Sequence, residues 1–364
     1  MSDAPGGTNI LDDRAAMDRA DTQGMLGFVA RLADQVGEGW RISRGITLPW
    51  GPPRSVALLG MGGSAIGGDL VKGIYGDRIT VPFEIVRGYE LPAWVGPDTL
   101  VIASSKSGDT EETISALQSA LERRCPVVAV STGGAIATVA RAAGLPLATF
   151  PPQGSPRATL GYSLAIVAGI LQQAGVLDLD GDELERGIIP CRATEARCAP
   201  GVPTADNPAK QLAWSLVDRL VMIAGSGFLA PVARRWKAQL NENGKAAAVC
   251  EELPEATHNT VVGFEQPESL RDHLFVVQLR GAAEHPRNSL RATLLGDVLD
   301  TAHVSHASVE ASGEDKLGQA LSAIVMGDYV SVYLAFMYAV DPSPIVVIDH
   351  VKEQLALADQ AAVE

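Results

Sequence analysis

A cluster of hydroxyl side chains in the first half of the sequence is suited to binding a phosphate group. Residues 104–110 read Ser-Ser-Lys-Ser-Gly-Asp-Thr and follow a run of apolar residues. Hydroxyls and backbone N–H groups around a glycine form a concave anion site without a large cationic charge. Asp109 or Thr110, followed by Glu112, could instead cap a helix, but a cap does not explain the density of hydroxyls before it. The cluster therefore predicts a phosphate-binding loop.

A glycine-rich turn lies before this cluster in the sequence. Residues 60–68 read GMGGSAIGG and directly follow the apolar run RSVALL. Glycines let the backbone turn tightly and approach a ligand, and the N-terminus of a following helix attracts anions. A dinucleotide site would need the pattern G-x-G-x-x-G and an acidic residue after the next strand. Position 65 is Ala and the next apolar run ends before Arg87, so a nicotinamide site is disfavoured, while a turn for tight packing alone stays an alternative.

Glu242 is a candidate general base. It lies in the sequence Asn-Glu-Asn-Gly-Lys at 241–245, which is typical of the end of a helix. Gly244 is expected to take the left-handed conformation there, and Lys245 to interact with the helix dipole. A carboxylate at the same end is electrostatically unfavourable, so a capping role does not account for Glu242. Proton transfer by this carboxylate is the alternative explanation.

Three cationic or titratable side chains complete the candidates for catalysis. Arg157 lies in the sequence GSPRA before an apolar helix, His258 ends the sequence ELPEATH, and Lys352 lies in the C-terminal sequence HVKEQLA. Each has an ordinary structural explanation, because an arginine can extend along apolar surface to reach water, and single histidines and lysines are common on surfaces. Taken singly, these residues indicate no reaction.

Alternating strands and helices must position these side chains. The first half contains three predicted strands, at 54–59, 99–105 and 126–131, and a predicted helix at 110–123. The second half repeats the pattern, with strands predicted at 219–224, 273–279 and 302–309 and helices at 205–218, 228–240 and 286–299. Repeats of strand, turn and helix are typical of parallel, doubly wound sheets. The sequence therefore predicts an α/β protein with a duplicated fold.

Composition and apolar spacing suggest limits for the domains. Residues 1–50 are expected to form an N-terminal helical segment, with a helix at 26–44, and residues 341–364 a C-terminal helix. The two sheet domains are expected at 51–200 and 201–340, with a boundary rich in proline and small polar residues between them. The apolar stretch 322–340 contains an aspartate and several hydroxyls, so we expect a buried core helix there and not a membrane span.

Composition narrows the class of protein further. A length of 364 residues is typical of about two domains, and 46% hydrophobic residues exclude a disordered chain. The net charge of −14 disfavours nucleic acid and anionic membranes as partners. The four cysteines show no zinc-site spacing, and the polar start does not resemble a signal peptide. We therefore expect a cytoplasmic protein with reduced thiols and without a metal site.

Taken together, these motifs resemble the bifunctional phosphoglucose/phosphomannose isomerases. The shared segments are GMGGSAIGG, SKSGDTEET, GSPRATLGYS, KAQLNENGKA, ELPEATHN and IDHVKEQL. Sugar-isomerase (SIS) domains in general share the first two, and the other four point to the isomerase branch. The resemblance implies two SIS domains with flavodoxin-like, doubly wound parallel sheets. It also implies an aldose–ketose isomerase, without metal or cofactor, that interconverts glucose 6-phosphate and mannose 6-phosphate with fructose 6-phosphate through an enediol(ate).

The resemblance also implies a role for each candidate residue. Six residues would bind the phosphate and the sugar: Gly62, Gly63, Ser64, Ser105, Ser107 and Thr110. Arg157 would stabilise the enediolate, and Glu242 would move the proton between C1 and C2. His258 and Lys352 would open the sugar ring, with the histidine supplied by the second subunit of a homodimer.

The chain departs from the family pattern at three places. Lys106 stands where an aromatic residue is usual, Asp109 stands where Asn is commoner, and residues 265–303 match poorly. These departures leave open the preference between glucose and mannose substrates. The sequence also does not assign the acid and base roles in ring opening to His258 or Lys352. Two alternatives also stay open, namely an isomerase of another phosphosugar and a sugar-phosphate sensor. A sensor would keep the hydroxyl cluster without the base, and sensors usually carry a DNA-binding region.

Overall fold

The computed structural model describes residues 9–363 and contains two parallel β-sheets. The first sheet consists of β1 Ser55–Leu59, β2 Phe83–Val86, β3 Thr99–Ser104, β4 Val127–Val130 and β5 Leu147–Ala148. The strand order is β2-β1-β3-β4-β5, and each pairing is parallel. This order is that of flavodoxin-like sheets. The predicted α/β class is confirmed.

The second sheet repeats the arrangement of the first. It consists of β6 Leu220–Ser226, β7 Ala248–Leu253, β8 Leu274–Arg280 and β9 Ser305–Glu310. The order is β7-β6-β8-β9, again with parallel pairings, so β6 takes the place of β1 and β8 the place of β3. The predicted duplication is confirmed. The sequence pattern does not predict β7, because two glutamates interrupt its apolar residues.

Helices precede, connect and follow the strands. In the first half they are α1 Arg14–Ala20, α2 Met25–Val29, α3 Leu32–Arg44, α4 Gly62–Tyr75, α5 Glu111–Glu122, α6 Gly134–Ala142, α7 Leu160–Gln173 and α8 Gly181–Cys198. In the second half they are α9 Pro208–Leu216, α10 Ala230–Glu242, α11 Pro286–Thr301, α12 Lys316–Met337 and α13 Val346–Val363. The domain limits expected at residues 50, 200 and 340 stay a prediction, and residues 1–8 and 364 of the expected terminal segments lie outside the described residues.

The N-terminal helix expected at 26–44 is two helices in the structure. Helix α2 ends at Val29 and α3 begins at Leu32. The Glu195 carboxylate on α8 accepts a hydrogen bond from Ala33 N at 3.1 Å. A carboxylate from a distant helix therefore caps the start of α3, a contact that apolar spacing within 26–44 cannot reveal.

Two helices, α7 and α12, are almost completely buried and form the centre of the molecule. Helix α12 is long and apolar enough to span a membrane by length and composition, but 94% of its apolar window lies inside the protein. The prediction of a core helix is therefore confirmed. The main hydrophobic core includes side chains of β1 and β6 together with α7 and α12. Helices α4 and α10, which follow β1 and β6, also pack against each other, so the two sheets share one core.

Candidate active site

The hydroxyl cluster forms a compact loop at the carboxyl end of β3. The Oγ atom of Ser105 lies 2.8 Å from Thr110 Oγ1 and 3.4 Å from Ser107 Oγ. The Ser105 hydroxyl accepts a hydrogen bond from Gly108 N, and the Ser107 hydroxyl accepts one from Asp109 N. Ser105 is buried, Thr110 is half-buried and Ser107 is exposed. The structure therefore brings the three predicted phosphate-binding hydroxyls together at a place that solvent can reach.

Helix α5 begins directly after this loop, and Thr110 does not cap it. Thr110 occupies the N-cap position, but its hydroxyl accepts no hydrogen bond from the helix backbone. The Asp109 carboxylate accepts a hydrogen bond from Ala135 N at 2.9 Å and so caps the neighbouring helix α6. The capping explanation is therefore wrong for α5, and the positive end of its dipole remains suited to an anion.

Gly108 gives the loop its shape. Its φ angle is +80°, and a Cβ atom at this position would lie 1.9 Å from Gly133 O. Glycine takes this conformation without strain and has no Cβ to collide. Gly108 O accepts a hydrogen bond from Ile136 N at 3.0 Å, and Lys106 O accepts one from Thr132 Oγ1 at 2.8 Å. The loop therefore rests on the segment after β4.

The glycine turn after β1 contacts two parts of the site. Ser64 Oγ accepts a hydrogen bond from Lys106 N in the phosphate loop at 3.2 Å. A Cβ atom at Gly63 would lie 2.8 Å from Pro156 C and 3.1 Å from Arg157 N. The neighbouring Gly62 has a positive φ of +47°. Because position 63 has no side chain, the backbone that carries Arg157 can approach the start of α4, where Ser64 contacts the phosphate loop.

Arg157 is a buried cation whose side chain is held on several sides. The side chain is 2% exposed. Its Nε donates to Asn243 Oδ1 at 2.6 Å, and its Nη2 donates to Pro342 O at 2.9 Å and to Ser343 O at 2.6 Å. Its Nη1 donates to Glu242 Oε2 at 3.3 Å. Burial lowers the pKa of the guanidinium, and the Glu242 carboxylate opposes this change. The explanation that Arg157 extends to water is therefore wrong.

Glu242 is the last residue of α10 and has a side chain 27% exposed. The prediction that Gly244 takes the left-handed conformation is wrong, because the positive φ angle, +53°, belongs to Lys245. Gly244 is needed for another reason, since a Cβ there would lie 2.8 Å from Leu240 O. The Lys245 ammonium donates to Glu242 O and, at 3.1 Å, to Pro342 O. A cation therefore meets this helix end, as expected, and compensates for the nearby carboxylate.

Sequence reasoning missed the residues that hold the backbone of Arg157 and its hydrogen-bond partner Asn243 in place. Arg235 Nη2 donates to Arg157 O at 2.7 Å and to Asp328 Oδ2 at 2.9 Å. Asn243 Nδ2 donates to Ser331 Oγ at 3.0 Å. The Arg235–Asp328 pair is buried, and a buried charge requires a partner. The isolated Asp328 in the apolar α12 sequence could have indicated a buried cationic partner, because aspartate is almost never fully buried unless it is paired.

One chain does not place His258 and Lys352 in contact with Glu242. His258 ends the short 3-10 helix Glu255–His258 and is exposed, and Lys352 is an exposed residue of α13. Among the side chains that the structure describes, neither residue has a hydrogen bond or ion pair. An open groove of about 510 Å³ lies between α13 and α5, with Leu355 on one side and Ile114 on the other. Helix α13 therefore passes near the helix that follows the phosphate loop.

In the second sheet, a carboxylate lies where the first sheet has its hydroxyl loop. Strand β8 takes the place of β3, and the chain continues from its carboxyl end to Glu284, whose side chain is 2% exposed. Glu284 accepts a hydrogen bond from Gly281 N at 2.8 Å and another from the hydroxyl of Ser226, at the end of β6. An internal anion therefore occupies the edge at which the first sheet holds its hydroxyl loop.

The fold and this loop define an α/β protein of the SIS type, and comparisons with known proteins support that class. Residues 205–355 match the family described as "Bacterial phospho-glucose isomerase C-terminal SIS domain". A solved structure of a hypothetical protein from Thermus thermophilus has a TM-score of 0.75 at 18% identity, covering 96% of this chain and 95% of that one. At this identity the likeness concerns the fold alone.

Sequence comparison gives the family. The chain is 35% identical to the bifunctional phosphoglucose/phosphomannose isomerase of Caldicellulosiruptor bescii, over 91% of this chain and 99% of that protein. It is 30% identical to the protein of the same name from Aquifex aeolicus, over 84% of this chain and 91% of that protein. The chain therefore belongs to the bifunctional phosphoglucose/phosphomannose isomerase family and is an isomerase. The resemblance and the enzyme class predicted from the sequence are confirmed.

Proposed function

We propose that the protein interconverts glucose 6-phosphate and mannose 6-phosphate with fructose 6-phosphate as a metal-independent aldose–ketose isomerase. The observation that carries the proposal is the hydroxyl loop joined, through the Gly63 turn, to a buried arginine in contact with a carboxylate. The loop suits a phosphate, and the arginine–carboxylate pair suits proton transfer next to a carbonyl. The names of the two relatives above support the same substrates.

The phosphate would bind to the loop at the end of β3. The hydroxyls of Ser105, Ser107 and Thr110 would donate to its oxygens, and the α5 dipole would add to the attraction. The phosphate is remote from the carbons that react. Its binding energy can therefore hold the sugar in position for the reaction.

Glu242 would move one proton between C1 and C2 of the open sugar. The carboxylate would remove the proton from the carbon next to the carbonyl and return it to the neighbouring carbon. Arg157 would stabilise the oxygen that becomes negative in the enediolate. Its hydrogen bonds to Asn243, Pro342 and Ser343 support this role, because they prevent the cation from turning away.

Ring opening requires a proton donor and a proton acceptor, which we assign to His258 and Lys352 in a homodimer. Both residues are exposed and unpaired in the described part of one chain, so a second subunit is needed to complete the site. Helix α13 exposes Val347 by 78% and Val351 by 52%, which lie four residues apart and so on one stripe. A second copy that covers this stripe would remove it from water. In this dimer, His258 of one subunit would act at the site of the other.

The proposed chemistry requires no redox cofactor, because substrate and product are isomers with the same overall oxidation level. It would also require no metal ion, because Arg157 would stabilise the negative oxygen of the enediolate. In the part of the chain that the structure describes, no group of three His, Cys, Asp or Glu side chains could hold a metal ion. The four cysteines, which all lie in that part, are unpaired. We place the protein in the cytoplasm, where thiols stay reduced.

The test is incubation of the purified protein with fructose 6-phosphate in the presence of a chelator, with the products identified by NMR. We expect both glucose 6-phosphate and mannose 6-phosphate. One product alone would support the isomerase and narrow its specificity. Binding without turnover would contradict the proposal and favour a sensor or an isomerase of another phosphosugar. Turnover that requires added metal would contradict the metal-independent mechanism.

A further inference from the structure

Lys106 lies between two of the hydroxyl residues of the phosphate loop, but its side chain is bonded elsewhere. Its ammonium donates to Pro152 O at 2.5 Å and also to Gly154 O. The Lys106 backbone belongs to the loop, because Lys106 N donates to Ser64 Oγ and Lys106 O accepts from Thr132 Oγ1. The residue therefore joins the phosphate loop to the segment 151–154.

The segment 151–154 leads directly to the turn that carries Arg157, the 3-10 helix Pro156–Ala158. Among the described residues, the hydrogen bonds from Lys106 are the only ones that 151–154 makes with the rest of the protein. Ser155 provides no second anchor through its side chain, because its buried hydroxyl has no partner. The position of the backbone before Arg157 therefore depends on Lys106 and on Phe28, which packs against Gly154, while Gly63 packs against the turn itself at Pro156 and Arg157.

The chemistry of the ammonium group agrees with an anchoring role. Two of its three N–H donors are used by backbone carbonyls, so its charge is directed toward the segment before Arg157. Burial lowers the pKa of this lysine, and carbonyl oxygens stabilise the charged form that donates these bonds. The Ser105, Ser107 and Thr110 hydroxyls remain at the loop for the phosphate. Removal of Lys106 should therefore disturb the arginine more than the phosphate site.

We propose that Lys106 is a positioning residue that ties the phosphate loop to the Arg157 turn and so keeps the bound phosphate and the arginine at a constant separation. The inference rests on the proposed isomerase function for its kinetic consequences. It does not require Lys106 to touch the substrate. It concerns a position at which this chain departs from the aromatic residue usual in the family.

The test compares Lys106→Met with Lys72→Met, which removes an exposed lysine of α4 in the same domain. For Lys106→Met, kcat with fructose 6-phosphate should fall about 10- to 100-fold, because misplacement of a catalytic group by about 1 Å costs this much. KM and the inhibition constant of inorganic phosphate should each stay within about threefold of wild type. Lys106→Arg keeps a charged donor, so its kcat should be about threefold or more above that of Lys106→Met.

Amide hydrogen exchange gives a second readout that does not depend on turnover. Lys106→Met should raise the exchange rate of the peptide 153–158, whereas Lys72→Met should leave it unchanged. The proposal is overturned if exchange in this peptide is unchanged or if kcat stays within about twofold of wild type. A rise of about tenfold in the phosphate inhibition constant would also overturn it, since Lys106 would then bind phosphate directly. Lack of turnover by the wild type would contradict the isomerase function, and the exchange result would still decide the anchoring role.

Discussion

At the scale of single residues, the contact between Arg157 and Glu242 connects the two groups that the proposed mechanism needs. Nη1 is the nitrogen of Arg157 that faces the carboxylate, because Nε and Nη2 are bonded to Asn243 and to the carbonyls of Pro342 and Ser343. A substrate oxygen that approaches Nη1 therefore also approaches Glu242. In the proposed mechanism, the stabilising cation and the proton acceptor would therefore act on the same part of the sugar.

Replacement of Glu242 should separate catalysis from binding. Glu242→Gln keeps the shape of the side chain but removes the proton acceptor, so kcat should fall by about 10²- to 10⁴-fold while binding of fructose 6-phosphate is retained. Steady-state kinetics and calorimetry measure the two quantities. The matched control is Glu122→Gln, at the exposed end of α5, which should behave as wild type. Full activity of Glu242→Gln would remove this residue from the mechanism.

At the scale of elements, the two sheets differ at corresponding edges. The first sheet ends in hydroxyls at β3, and the second holds the Glu284 carboxylate after β8. The Glu284 carboxylate already occupies Gly281 N and the Ser226 hydroxyl, so these donors are not available to a bound phosphate. The duplicated fold should therefore contain one phosphate site per chain.

Calorimetry with fructose 6-phosphate should give one binding site per chain. The double variant Ser105→Ala, Ser107→Ala should bind fructose 6-phosphate much more weakly than the wild type. Loss of two hydrogen bonds to a charged group costs about 3 kcal/mol, or about a hundredfold in Kd. Ser119→Ala, on α5, is the control and should bind normally. Two sites in the wild type, or unchanged affinity in the double variant, would show that the phosphate binds elsewhere.

The close approach of α4 to the Arg157 turn depends on Gly63. A Cβ atom in Gly63→Ala would press on the backbone of Pro156 and Arg157, so kcat/KM should fall about 10- to 100-fold as the arginine is displaced. Gly96→Ala is the control, because its Cβ would meet no atom within 4 Å. Circular dichroism verifies that both variants fold. Equal kinetics for the two variants would mean that the turn has room for a side chain.

At the scale of the whole molecule, α13 exposes several of its described apolar side chains in a single chain. Its residues Val347, Val351 and Leu355 are 78%, 52% and 46% exposed, and exposed apolar stripes are typical of interfaces. Lys352 lies on the same helix next to this stripe. Association through α13 would therefore also set the position of Lys352.

Light scattering should show a dimer, and the double variant Val347→Asp, Val351→Asp should be a monomer with little isomerase activity. Two carboxylates on the stripe would have to be buried without partners in the dimer, which is unfavourable. The control is Ile189→Asp, at a residue of α8 that is 67% exposed. A wild-type monomer with normal activity would rule out a histidine supplied by the second subunit.

The amino-acid sequence by itself determined the fold class, the repeated strand–turn–helix order and the family. Strands β1, β3, β4, β6 and β8 lie close to their predicted bounds, because buried parallel strands are continuous apolar runs. The hydroxyls of 104–110 were recognisable for a similar reason, since residues of one short loop stay neighbours in any fold. These features are local in the chain, so local patterns reveal them.

Only the tertiary structure decided which distant groups meet. Arg157 contacts Glu242 across 85 positions of the chain, and Arg235 supports Arg157 from α10 while it is paired with Asp328 on α12. It also decided that the Thr110 hydroxyl bonds to Ser105 and caps no helix. These contacts depend on the packing of α4, α10 and α12 in a shared core. The side chains that meet there have no common periodicity in the sequence, because they come from three separate elements: the Arg157 turn, α10 and α12.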